Sequence, residues 1–157
     1  MSLTNAAVTI REAEIGDVPA IVSLFAADEM GGHGDTTAPE AAGDYLAAFE
    51  RIRQSPNDTL FVAELDGEVV GTFQTTIITS MSGRGAPSLT IEAVQTREDM
   101  RGRGIGALMV RHAVERAEEA GARLVQLTSN NARQRAHRFY ERLGFAKSHA
   151  GFKMKLK

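Results

Sequence analysis

Arg101-Gly102-Arg103-Gly104-Ile105-Gly106 is the stretch with the densest chemistry in the chain. Residues 89–96 before it alternate like a strand, and residues 107–120 after it carry one amphipathic helical pattern. A strand, a glycine turn and a helix start together make a phosphate cradle. Glycine lets an anion approach the backbone closely. The first amides of a helix lack intrahelical acceptors and donate along the positive end of its dipole. Arg101 and Arg103 add charge-assisted donors. The bland alternative is a tight turn that needs glycine for its backbone alone.

One phosphate motif is excluded and a second is disfavoured. No G-x-x-x-x-G-K-[ST] run occurs in the chain. Gly102-x-Gly104-x-x-Ala107 fits the dinucleotide fingerprint, but the next strand ends Leu127-Thr128-Ser129 without the acid that motif requires. Glu92 is the second chemical signal. Alternation sets Ile91, Ala93 and Gln95 on one strand face and Glu92, Val94 and Thr96 on the other. A carboxylate amid apolar neighbours is costly unless it is paired or faces a wet cleft. It serves as a proton acceptor, an amine anchor, or the partner of an arginine such as Arg84 or Arg97.

Arg101-x-x-Gly104-x-Gly106 resembles the coenzyme A pyrophosphate loop of the GNAT superfamily of N-acetyltransferases. A second signature, Ala136-x-x-x-Tyr140-x-x-x-Gly144-Phe145, stands at the family's expected separation. The resemblance covers residues 8–156 and implies acetyl-CoA as cofactor and direct acetyl transfer to a primary amine of a small molecule, with a peptide or protein N-terminus as the alternative acceptor. It implies that backbone of Val94, Gln95 and Thr96 pairs with the pantetheine arm, and that the loop from Arg101 through Gly102, Arg103, Gly104, Ile105 and Gly106 to Ala107 holds the pyrophosphate. Tyr140 is the implied general acid. With an ordinary pKa of about 10 it keeps a proton at neutral pH to give a leaving thiolate; the alternative is a packing tyrosine. Glu92 is the candidate base.

Some positions depart from the family pattern. The asparagine that often binds pantetheine, seven residues before the tyrosine, is Arg133 here, with Asn130 and Asn131 just before it. We expect Asn131 and Arg133 on the cofactor, Arg133 reaching its phosphates or an anionic substrate group. A carboxylate base that some relatives carry on the second splayed strand is replaced by Thr128. Glu29 and His33, with Asp35 nearby, stand on the loop that shapes the acceptor pocket in the family. The four scattered histidines give no metal-ligand spacing, so no metal site is expected. The alternative function is a non-catalytic acyl-CoA sensor or regulatory module.

The remaining elements must position this loop. The order is a strand at 8–13, a helix from Asp17, and a helix from Pro39 to Gln54 with Tyr45, Leu46, Phe49 and Ile52 as its buried stripe. Strands at 59–65 and 69–78 follow, joined by Asp66-Gly67, a strong hairpin signal. The 89–96 strand, the loop helix and a strand at 123–128 form a right-handed crossover with a parallel pair. A helix at 132–143 and a hairpin of 145–148 with 152–156 close the chain. This predicts one α+β domain over 1–157: a mixed, mostly antiparallel sheet of six to seven strands, helices on both faces, and a splayed central parallel pair.

At 157 residues, 43% hydrophobic and 24% charged, the chain suits one globular domain. No apolar run approaches a membrane span and no signal peptide opens the sequence, so a cytoplasmic protein is expected. Absent cysteines exclude disulfides and a thiol nucleophile. Residues 1–96 hold 4 basic and 14 acidic side chains, and residues 97–157 hold 14 and 6, so a net charge of −2 conceals an acidic half and a basic half. The basic half suits a polyanionic cofactor and the acidic half a cationic amine. With aromatics at 6% and no binding motif, nucleic acid is not an expected partner. A homodimer is compatible with this reading.

Overall fold

The computed structural model describes residues 8–28, 30 and 33–157. Its elements are β1 (Thr9–Glu12), α1 (Val18–Ala26), α2 (Ala42–Gln54), β2 (Asp58–Leu65), β3 (Glu68–Ile78), β4 (Ser88–Thr96), α3 (Ile105–Glu119), β5 (Leu124–Gln126) and α4 (Gln134–Arg142), with short 3₁₀ turns between some of them. The strands lie in the order β1-β2-β3-β4-β5, antiparallel except for the parallel pair β4 and β5. This is the α+β class expected, with a mixed, mostly antiparallel sheet. Asp66 and Gly67 both take positive φ, 52° and 79°, the twist a two-residue hairpin requires.

Consecutive residues of β2 show how the two faces are filled. Phe61 belongs to the main core, with Phe73, Leu89 and Ile91 of the sheet and Ile105, Met109, Val110, Ala113 and Ala117 of α3. Its ring stacks on Phe73 at 4.9 Å. Leu60, one residue earlier, packs instead against Val18, Val22 and Phe49 of α1 and α2. Gly71 shows how closely α3 approaches the sheet: an added Cβ would sit 2.9 Å from Sδ of Met109. Arg11 ties β1 to the start of α1, donating to Asp17 at 2.7 Å and to Glu64 at 2.7 Å. That guanidinium holds the Asp17 carboxyl below the usual carboxylate range.

Three expectations change. Leu46 is exposed, while Phe49 and Tyr45 carry the contact of α2. The sheet has five strands among the described residues, because 145–156 forms no hairpin. Phe152, Met154 and Leu156 are 85–95% exposed. Their alternation with Lys153 and Lys155 has strand period, but a period specifies a face and not a pairing edge. Finally, β4 does not alternate along its whole length. Thr72 pairs with Gln95 and Gln74 with Glu92, so two residues of β4 oppose Phe73 alone. In this bulge Ala93 takes φ 54° and is exposed, while Val94 turns toward the core.

Candidate active site

The parallel pair opens one edge of β4. Its register with β5 covers only Ser88–Thr90 against Leu124–Gln126, although β4 runs on to Thr96. Gln126 closes the joint, its Nε2 donating to Thr90 Oγ1 at 3.2 Å. Beyond it β5 has ended, and residues 91–96 have no ladder partner on that side among the described residues. Val94, Gln95 and Thr96 line this edge, where an extended ligand can add main-chain hydrogen bonds.

The glycine loop sits at the far end of β4. Gly102 and Gly104 take φ 78° and 86°, conformations that disfavour a side chain. Gly104 is the N-cap of α3 and supplies no side-chain cap. The amides of Ile105, Gly106 and Ala107 open the helix beyond reach of any i−4 carbonyl within it. Arg101 is exposed and folds its Nε back to the Thr96 carbonyl at 3.3 Å. Arg103 is exposed as well, on the same turn. An open cleft of about 790 Å³ lies between α1 and this turn, lined by Ala20, Leu24, Ala27, Thr96, Asp99 and Arg101.

Gly106 joins the loop to the helix of the tyrosine. An added Cβ there would lie 3.1 Å from Cζ of Phe139, so the first turn of α3 and α4 touch through a ring tip. Tyr140 follows, edge-on to Phe139 at 5.1 Å and to Phe145 at 5.8 Å. These rings fix its orientation, while its hydroxyl has no hydrogen-bond partner among the described residues. Burial raises its pKa, and the nearby charge of Arg133 partly offsets the rise. At neutral pH the phenol is therefore protonated and its O–H is uncommitted.

Arg133 adopts a role that its position in the sequence did not reveal. Its Nη2 donates to Asp28 Oδ2 at 2.7 Å, and Gln95 Nε2 donates to the same oxygen at 2.7 Å. Asp28, just past α1, thus connects the open edge of β4 to the N-cap of α4. Only 12% of its side chain is exposed. Burial opposes its charge, but the bonds from Arg133 and Gln95 outweigh that cost and hold the carboxyl below the usual carboxylate range. The pair is therefore charged at neutral pH and comes apart only as pH falls through that depressed value. Nothing in the sequence links residues 105 positions apart, and Asp28 is not among the candidates it offers.

The other candidates are placed less centrally. Glu92 is exposed immediately before the bulge, with no ion-pair partner among the described residues. Arg97, one of its conceivable partners, is engaged by Asp99 and Glu68. Asn131 is exposed in the turn before α4, where the side chain of Asn130 accepts from the Ala132 amide at 2.9 Å. His33 is exposed, and Glu29 lies outside the described residues. His112 packs edge-on to Phe61 at 5.0 Å, with its Nε2 buried and without a hydrogen-bond partner among the described residues. Among the described residues, no three His, Asp or Glu side chains cluster as metal ligands, and no helix is long and apolar enough to cross a membrane.

Comparisons with known proteins agree with this fold. A solved structure from Bacillus halodurans C-125, described as a transcriptional regulator, is 41% identical over 95% of this chain and 99% of its own, with a TM-score of 0.91. The aminoalkylphosphonate N-acetyltransferase of Salmonella typhimurium is 47% identical over 53 residues, which are 34% of each chain. The chain spans less than half the length of the curated relatives it matches. An aminoglycoside N-acetyltransferase solved with CoA shares the fold at 18% identity and a TM-score of 0.77, over 96% of this chain and 95% of that one. Residues 19–145 match the family model described as the acetyltransferase (GNAT) family, and the chain belongs to that family.

Proposed function

We propose that this chain transfers an acetyl group from acetyl-CoA directly to the amine of a small molecule. The observation that carries this reading is the open edge of β4 at residues 91–96, which leads into the glycine turn and the first amides of α3. The residues suit the cofactor. Exposed arginines and the first amides of α3 would hold a pyrophosphate, and the edge at 94–96 would pair with an extended amide chain. Acetyl-CoA supplies the thioester carbonyl. The amine nitrogen bonds to that carbon as the carbon–sulfur bond breaks, the amine proton passes to Glu92 directly or through water, and Tyr140 gives its proton to the departing sulfur. CoA-bound relatives of the same fold and the name of the Salmonella typhimurium relative support both the cofactor and the small amine.

The test is a thiol-release assay with acetyl-CoA over a panel of small amines. Release that depends on the amine supports the reading, and no release with any amine contradicts it. Glu92→Gln removes the proton acceptor and keeps the shape of the strand. We expect its pH–rate profile to move to higher pH, because only amine already neutral in solution then reacts. An unchanged profile would place Glu92 outside the reaction.

One observation favours a second reading, an acyl-CoA-responsive regulatory module. The 41% identical Bacillus halodurans chain is described as a transcriptional regulator. That reading predicts cofactor binding without turnover, which the same assay separates.

A further inference from the structure

The Asp28–Arg133 pair has features that a structural ion pair does not require. It spans 105 residues of sequence and bridges two sides of the candidate site, with Gln95 of the open edge as its third member. The Arg133 side chain remains 26% exposed, and one of its five N–H donors is spoken for by Asp28. Its charge is felt at Tyr140, two helical turns along α4. A cation and an anion in direct contact thus adjoin the open edge of β4, with a proton donor two turns along α4.

We infer that Asp28 and Arg133 form the recognition site for a zwitterionic acceptor, a small primary amine that also carries a phosphonate or carboxylate group. This inference rests on the acetyltransferase reading for the identity of the reacting amine. The electrostatic argument is independent of it. A neutral ion pair attracts a simple cation through one member and repels it through the other, and the same holds for a simple anion. A zwitterion laid head to tail against the pair gains at both ends. Arg133 offers its unused donors to the anionic group in fork geometry. Asp28 receives the ammonium. Because Gln95 also holds Asp28, the carboxylate keeps its place when the guanidinium turns toward a ligand. Asp28 stays charged throughout the neutral range, so it anchors the amine and does not act as its base. Glu92, directly or through water, takes the ammonium proton before the nitrogen attacks and passes it to solvent, which frees it for the second proton as the amide forms.

The experiment is calorimetric titration of the full chain, saturated with CoA, using 2-aminoethylphosphonate and propylamine as probes. We expect the phosphonate to bind about tenfold or more tightly than propylamine, the factor for one charge-assisted contact. Arg133→Gln should bring the two affinities together, and Arg133→Lys should restore part of the difference by keeping the charge without the fork. Asp28→Asn should weaken both amines. If Arg133→Gln does not fold, the lysine variant and the wild-type ratio still decide. Equal binding of both probes to the wild type overturns the inference, as does a preference that survives Arg133→Gln while affinity for CoA falls, since Arg133 would then serve the cofactor. Thiol release reports the acetyltransferase reading separately: binding selectivity without release overturns that reading alone, and release without selectivity overturns this one alone.

Discussion

Replacing Tyr140 by Phe is expected to lower the turnover number about 10²-fold, the lower end for loss of a general acid. The substitution removes one oxygen and keeps the ring. The ring makes the edge contacts to Phe139 and Phe145, while the hydroxyl has no hydrogen-bond partner among the described residues. Melting temperature and acetyl-CoA affinity should therefore hardly change. Loss of turnover without loss of ground-state binding marks an interaction made in the transition state. The pH profile gives a second readout. Burial raises the pKa of Tyr140, so activity of the wild type should persist on the alkaline side beyond the ordinary tyrosine value. Tyr140→Phe should lose that alkaline limb. A melting temperature that falls along with activity would show that the hydroxyl supports the fold, and full activity would remove Tyr140 from the reaction.

Gly104→Glu should abolish measurable acetyl-CoA binding, starting from the micromolar affinity, about −8 kcal/mol, expected for the wild type. Two effects act together. Gly104 takes φ 86°, which a side chain strains, and the new carboxylate would lie where phosphate oxygens must approach. Arg101→Ala is a milder probe of the same site, with an expected loss of roughly 1.5–3 kcal/mol for a charge-assisted bond. Arg101 is exposed and contacts the Thr96 carbonyl only at 3.3 Å, so its removal leaves the core untouched. Calorimetry on both variants checks the pair. Binding that survives Gly104→Glu would move the cofactor away from this loop.

Much of this arrangement is legible in local chemistry. The glycine loop, the Asp66-Gly67 hairpin and the apolar stripe of α3 each follow from residues within a few positions of one another. What the sequence hides is geometry made by distant residues. Glu92 and Ala93 read as opposite faces of a regular strand, yet the bulge opposite Phe73 exposes both. Ala93 holds positive φ without the glycine that would have signalled it. Arg133 reads as a departure from a family pattern, and only the fold reveals Asp28 as its partner. The C-terminal alternation of Phe152, Met154 and Leu156 specifies an apolar face with no partner strand among the described residues, so the expected hairpin does not form.

Direct transfer is the central claim, and one mass balance tests it. The full chain is incubated with acetyl-CoA, with and without amine, while released thiol is counted and the intact protein and the amine are weighed by mass spectrometry. With no cysteine in the chain and Tyr140 serving as an acid, thiol should appear only when amine is present, in one-to-one ratio with acetylated amine, and the protein mass should stay unchanged. Stoichiometric thiol release without amine, accompanied by an acetylated protein that then passes its acetyl group to the amine, would contradict direct transfer.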